Sequence, residues 1–338
     1  MTLAAQGRSY GSVKPDAGAH PLAPNLAGQS CVQIYLPIAE MPVNIFLILG
    51  IGAAVGFISG LFGVGGGFLM TPLLIFAGIP PAVVVASQAS QIAASSLTGS
   101  LVYWRRKAVD FRLGLVLLAG GLVGTLLGVR FFNQMQRIGQ LETVIVISYA
   151  VLLGSVGGLM LVESLRAMVA ARSGSKPKRK ANRHAWYEGL PLKVKFQRSG
   201  IYISVLPLLA LALFIGFAGA VLGIGGGFIL VPALIYVFRV PTAVVVGTSL
   251  FQILFTMVAA TILHATSNYS VDIVLAGLLI IGGVFGAQFG ARAGANLRGE
   301  YFRLLLALMV LMVALRFAAD LLTHPVEAYS ATATETFR

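Results

Sequence analysis

Apolar residues run along this chain in blocks of about 20, separated by short clusters of Gly, Pro, Ser and charged residues, with no strict apolar–polar alternation inside the blocks. A helix needs about that length to cross roughly 30 Å of hydrocarbon, and the missing period of two excludes a membrane β-barrel. Five segments can be marked in each half: 43–62, 67–79, 82–103, 111–131 and 143–163, then 201–222, 227–239, 242–263, 271–291 and 302–322. The predicted fold class is therefore an all-α integral membrane protein. The second segment of each set, about 13 residues long, reaches only roughly 20 Å as a helix. It either spans with help or is re-entrant.

The two sets are copies of one unit. Gly56-Phe-Ile-Ser-Gly-Leu-Phe-Gly-Val-Gly-Gly-Gly-Phe-Leu-Met-Thr-Pro72 is echoed 160 residues on by Gly216-Phe-Ala-Gly-Ala-Val-Leu-Gly-Ile-Gly-Gly-Gly-Phe-Ile-Leu-Val-Pro232. Pro80-Pro-Ala-Val-Val-Val then faces Pro241-Thr-Ala-Val-Val-Val, and Gly120, Gly121, Gly124, Gly128 and Arg130 face Gly282, Gly283, Gly286, Gly290 and Arg292. Self-similarity on this scale decides the architecture before any single motif does. The organisation read from it is a leader with a short interfacial segment (1–42), a first transmembrane repeat (43–163), a basic cytoplasmic linker (164–200), a second repeat (201–322) and a tail (323–338). Met1 to Ser30, rich in Gly, Pro, Ala and Ser, is too polar to offset its ordering entropy and is expected to be mobile. It lacks the basic start and apolar core of a signal peptide. Ile34 to Pro42 is apolar but short and twice interrupted by proline, which suits an interfacial or re-entrant piece.

Charge sets the orientation. The formal net charge of +13 would suggest a nucleic-acid partner in a soluble protein, but ten Lys or Arg against Glu188 place +9 of it between Ser164 and Gly200. Beside a membrane helix such a stretch is a cytoplasmic retention signal, with anionic lipid as an added partner, and no nucleic acid is implied. The loop after the third segment reads Trp104-Arg-Arg-Lys-Ala in the first copy and His264-Ala-Thr-Ser-Asn-Tyr-Ser in the second. The loop after the fourth carries Arg292, Arg298 and Arg303 in the second copy, against Arg130 and Arg137 partly offset by Glu142 in the first. Equivalent loops thus lie on opposite faces, so the repeats are inverted, and each copy makes an odd number of crossings: five, or three plus a hairpin of its first two segments. Many secondary transporters are built this way, with the substrate site near mid-membrane between the repeats.

Composition agrees: 57% of the 338 residues are hydrophobic and 10% charged, with a mean hydropathy of +0.89, too apolar to clothe a soluble enzyme. One cysteine, Cys31, and four scattered histidines offer neither an internal disulfide nor metal-ligand spacing, and no cofactor motif is present.

Two features carry candidate chemistry. Gly63, Gly65, Gly66 and Gly67, and likewise Gly223, Gly225, Gly226 and Gly227, would each cost about 1 kcal/mol inside a helix, so they predict breaks. In hydrocarbon a break is tolerated only where its freed N–H and C=O groups face protein or water. The segment that follows begins at the glycines, so its first N–H groups and positive dipole end point into the break, where an anion fits. A nucleotide loop is excluded, because GxGxxG would need glycine at Phe68 and Phe228. The regular glycines of the fourth segments are assigned to close helix packing instead. The second feature is the polar third segment. Ser87, Gln88 and Gln91, with Ser95 and Thr98, share a helical stripe, and Thr248, Ser249, Gln252 and Thr256 repeat it. Amides and hydroxyls can hold an oxyanion without bringing a full charge into lipid; the competing role is interhelical hydrogen bonding.

No Asp, Glu, Lys or Arg stands near the middle of any segment, which disfavours proton-coupled cation transport, while sodium could still bind break carbonyls. His264 reads as an interfacial residue, with a gate or proton acceptor as its alternative.

At these residues the chain resembles the sulfite exporter TauE/SafE family, also called the 4-toluene sulfonate uptake permease family. The resemblance rests on GLFGVGGGFLMTPLLIFAGIPP (Gly60 to Pro81) and AVLGIGGGFILVPALIY (Ala220 to Tyr236), and covers about residues 43–320. It implies a multi-pass bacterial inner-membrane carrier, not an enzyme, whose substrate is a small sulfur-containing anion such as sulfite, a sulfonate or sulfoacetate. The expected mechanism is alternating access at the repeat interface, with a passive anion channel as the alternative.

Overall fold

The computed structural model describes residues 33–62, 67–172, 193–196, 201–238, 240–294 and 299–323. The leader before Gln33, Gly63 to Gly66, most of the basic linker and the tail after Thr323 lie outside the described residues. Ten α-helices account for nearly all of the described chain: α1 (Ile45–Phe62), α2 (Gly67–Phe76), α3 (Pro81–Arg105), α4 (Phe111–Ile138), α5 (Leu141–Arg172), α6 (Val205–Leu222), α7 (Gly227–Pro232), α8 (Thr242–Ser267), α9 (Ile273–Gly294) and α10 (Gly299–Thr323). Five helical stretches among the described residues are long and apolar enough to cross a membrane: Phe111–Ile138, Leu141–Val162, Val205–Leu222, Val244–Ser267 and Ile273–Gly290. The chain is an all-α multi-pass membrane protein.

Each half opens on a small antiparallel hairpin that the pattern of long apolar blocks does not reveal. β1 (Gln33–Leu36) pairs with β2 (Met41–Asn44), and β3 (Lys193–Phe196) pairs with β4 (Ile201–Ser204). The piece expected to be interfacial or re-entrant is thus a folded hairpin. Its prolines are harmless because Pro37 falls in the turn and Pro42 on the exposed face, while Leu36 and Val43 are buried. The second hairpin is displaced by the same 160 residues as the glycine motif and lies inside or just after the stretch read as linker. Both end in a cap: Asn44 Oδ1 accepts from Phe46 N, and Ser204 Oγ from Leu206 N.

Packing between halves exchanges partners. Along α4 and α6, a Cβ on Gly120, Gly124 or Gly128 would fall against the carbonyl oxygen of Leu209, Leu213 or Phe217. Along α9 and α1, one on Gly282, Gly286 or Gly290 would fall against that of Leu49, Ala53 or Phe57. The register advances in the same sense on both members of each pair, so α4 lies parallel to α6 and α1 parallel to α9. These glycines remove the side chains that would hold the backbones apart.

Two aspartates mark the ends of the bundle. Asp110 caps α4 by accepting from Arg112 N and Leu113 N, and Asp272 caps α9 by accepting from Val274 N and Leu275 N. Asp272 also accepts from Ile38 N in the first hairpin. α1, α3 and α9 start at the Asp272 end, whereas α4, α6 and α8 start at the Asp110 end. Since α3 begins where α1 began, α2 turns back toward that end.

Gly124→Ala should therefore lower thermal stability by about 1–3 kcal/mol through overpacking, whereas Gly158→Ala, whose Cβ meets nothing within 4 Å, should be neutral or stabilising by up to about 1 kcal/mol. Thermal unfolding in detergent compares the two.

Candidate functional site

The second glycine break is fully described. α6 ends at Leu222, and Gly223, Gly225 and Gly226 take φ of 69°, 72° and 76°, a left-handed conformation that a side chain would strain. Gly223 N caps α6 on Gly219 O, and Ile229 N and Leu230 N bond Gly226 O. Among the described residues, no acceptor takes a hydrogen bond from the N–H groups of Ile224 to Phe228. Successive N–H groups in such a backbone form a concavity suited to an anion. α7 runs on into a π-helical turn, Ala233–Val237, at Pro232, which lacks the N–H needed to continue the α pattern.

The start of α2 meets the second break. A Cβ on Gly67 would lie 2.5 Å from Ile224 O and 2.6 Å from Ile92 Cδ1, and one on Gly225 would lie 2.7 Å from Ile92 Cγ2. Phe68 and Phe228, which follow the two glycine runs, stack with ring centroids 4.2 Å apart and planes 15° apart. Gly63, Gly65 and Gly66 lie outside the described residues.

The polar stripes divide by what their groups already touch. Ser87 Oγ accepts from Asp272 N at 2.8 Å, and Thr248 Oγ1 accepts from Asp110 N at 3.0 Å, equivalent ties from each third segment to the start of the other half's fourth. Gln88 Nε2 donates to Gly67 O at 2.6 Å and to Gly223 O at 3.0 Å, and its Oε1 accepts from Thr71 Oγ1 at 2.6 Å. These three side chains are fully buried and spent on the protein's own backbone and hydroxyls.

Gln91, Ser249 and Gln252 are different. They are 5%, 1% and 1% exposed, and Gln91 Oε1, Ser249 Oγ and Gln252 Oε1 have no hydrogen-bond partner among the described residues. Buried polar atoms of this kind are uncommon in a finished core and mark places where a further group fits. The glutamines fit against glycines of the opposite half: a Cβ on Gly283 would lie 2.5 Å from Gln91 Nε2, and one on Gly121 2.6 Å from Gln252 Nε2. Half a turn about the last side-chain torsion exchanges amide oxygen and nitrogen, so each can offer an acceptor or a donor.

His264, in the last turn of α8, is fully buried within the protein. Its Nε2 lies 3.1 Å from Ala220 O, which can only accept, and its Nδ1 lies 3.2 Å from Asn268 Nδ2, which can only donate, so the ring is a neutral tie packed edge-on to Phe132. Two residues that belong with the site were not singled out beforehand. Thr71 and Tyr149 hydroxyls reach Leu222 O at 3.2 Å and 2.6 Å. The sequence signal of Thr71 is a hydroxyl within the otherwise apolar α2, while Tyr149 does not stand out beside Ser148 and the other polar residues of α5. A separate cavity of about 450 Å³ borders Arg130, Asn133, Gln134 and Arg137 on the last turns of α4. Among the described residues no group of three or more His, Cys, Asp or Glu could hold a metal ion.

The model of the sulfite exporter TauE/SafE family matches residues 48–317. "Probable membrane transporter protein YunE" of Bacillus subtilis (strain 168) is 26% identical over 288 residues, covering 80% of this chain and 96% of that protein. "Probable membrane transporter protein YjnA" of the same organism is 29% identical over 276 residues, covering 82% and 99%. A "Probable membrane transporter protein" of Xylella fastidiosa (strain 9a5c) is 28% identical over 292 residues, covering 82% and 98%. No solved structure matches the chain significantly.

Ser87→Ala and Thr248→Val each leave a buried loop N–H without its acceptor, so each should cost about 1–3 kcal/mol of stability. Thermal melts should show similar losses for both, because the two bonds are equivalent in the two halves.

Proposed function

The chain belongs to the sulfite exporter TauE/SafE family, and from that premise we propose that it carries small sulfur-containing oxyanions such as sulfite, sulfonates or sulfoacetate across the bacterial inner membrane by alternating access. The observation that carries this reading is the meeting of two interrupted helices with unpartnered amide and hydroxyl groups in a buried centre. The anion would sit against the N–H groups of Gly225 to Gly227 and their counterparts Gly65 to Gly67. Gln91, Ser249 and Gln252 would complete its shell, while Ser87, Gln88 and Thr248 hold the surrounding backbone in place. Neutral donors suit a carrier, because they bind an anion in a low dielectric without the strong attraction that would prevent release.

Inverted repeats support the alternating mechanism. α1 and α6 open the two halves from opposite ends of the bundle, and each packs on the other half's fourth segment. Arg105, Arg106 and Lys107 stand between α3 and α4, whereas residues 268–272, between α8 and α9, contain no Lys or Arg. The positive-inside rule then makes the Asp110 end cytoplasmic. Together with the basic stretch before the second hairpin, this end offers an attractive surface to anions and to acidic lipid headgroups.

A passive channel is the competing mechanism, and Phe68 stacked on Phe228 argues against a continuous pore. Proteoliposomes loaded with sulfite should show saturable uptake of labelled sulfite and accelerated exchange; flux linear in concentration without exchange would assign a channel. Gln91→Leu and Gln252→Leu, expressed normally, should each weaken oxyanion affinity about tenfold, the worth of one buried hydrogen bond. Unchanged affinity in both would remove the glutamines from the site.

A further inference from the structure

The two halves repeat each other's fold but not each other's polar fastening at the centre. Three buried side chains of the first half tie down the second break: Gln88 bridges Gly67 O and Gly223 O, Thr71 donates to Gln88 Oε1 and its oxygen lies 3.2 Å from Leu222 O, and Tyr149 donates to Leu222 O. The residue equivalent to Thr71 is Val231, and that equivalent to Gln88 is Ser249, whose hydroxyl has no partner among the described residues. α10, the counterpart of α5, has no hydroxyl between Tyr301 and Thr323. The mirrored set of bonds cannot form.

The network also has a side. Thr71 lies on α2 as it returns to the Asp272 end, Gln88 lies two turns into α3 from that end, and Tyr149 lies two turns into α5, which starts there. Among the described residues, the bonds therefore close the second break on its Asp272 side. Resting on the alternating-access reading above, we propose that Thr71, Gln88 and Tyr149 form a latch that shuts the centre from the Asp272 face. The apolar contact of Val231 and the short Ser249 leave the Asp110 face to open more readily. The unliganded protein thus rests facing the cytoplasm, ready to load from within.

Backbone carbonyls released by a broken helix make this a strong device. When the latch parts, Leu222 O and Gly223 O, at the end of α6, lose donors that no helical turn supplies, and only water entering from that side replaces them. An inverted repeat needs such a difference, because identical halves would populate both orientations equally.

The test uses the full chain with Cys31→Ser and a reporter Gln91→Cys, labelled by a membrane-impermeant thiol reagent in right-side-out and inside-out vesicles. The parent should label faster from the cytoplasmic face. Thr71→Val with Gln88→Ser should raise the ratio of outside to inside labelling by about tenfold or more, the factor for one net hydrogen bond of about 1.4 kcal/mol. Adding Val231→Thr and Ser249→Gln should carry the preference fully to the outside. Tyr149→Phe, which removes one hydroxyl with little change of shape, should shift it in the same direction by less, and keeps the test open if the multiple variants fail to fold. Unchanged sidedness in folded Tyr149→Phe and Thr71→Val/Gln88→Ser proteins would make the network simple packing and overturn the latch. Sulfite exchange measured in parallel, with Gln91 intact, separates the two ideas: a shift in sidedness without oxyanion transport would overturn the substrate reading and leave the latch standing.

Discussion

A main chain that leaves the helix inside a bilayer must find partners for every N–H and C=O it releases, and that requirement organises this protein. On the carbonyl side the partners are internal. Leu222 O takes the hydroxyl of Tyr149, while Gly67 O and Gly223 O share the amide of Gln88, whose Oε1 accepts from Thr71. On the N–H side, Ile224 to Phe228 have no acceptor among the described residues. In the proposed reading, carbonyls satisfied by the protein beside amide hydrogens with no acceptor among the described residues would bias the centre toward negative ligands without a buried cation. The bias is modest, as a carrier that must release its cargo requires.

The rest of the fold brings the breaks together. Glycines on α4 and α9 let these helices approach α6 and α1 until backbone touches backbone. The caps at Asp110 and Asp272 then fix where the fourth segments start, and the hydroxyls of Ser87 and Thr248 fasten those starts to the third segments. Position passes from loop to third segment to break. The same glycine faces also leave room for the Gln91 and Gln252 amides, so close packing and a polar centre share one sequence feature.

Much of this was readable in the sequence because it depends on patterns that repeat. Ten apolar segments gave the ten helices nearly in register, and the 160-residue echo gave the two halves. The hairpins escaped because four-residue strands such as Gln33–Leu36 carry too little periodicity to stand out beside a membrane segment. The stripe of Ser87, Gln88 and Gln91 was visible, but its division of labour was not, because that depends on which neighbour each group meets. Ser87 meets an N–H 185 residues away and Gln88 a carbonyl 135 residues away, and no local rule predicts either. The packing of His264 escapes for a related reason: its position near a helix end does not show that Ala220 O and Phe132 enclose it.

Selenite, close to sulfite in shape and charge, offers the most direct test of an oxyanion held where the two interrupted helices meet. Anomalous diffraction from selenite-soaked crystals should place selenium within hydrogen-bonding reach of the backbone at Gly225 to Gly227 and of the Gln91 and Gln252 amides. A strong selenium peak elsewhere, such as beside Arg130 and Arg137, with the centre empty at saturating selenite, would contradict the account.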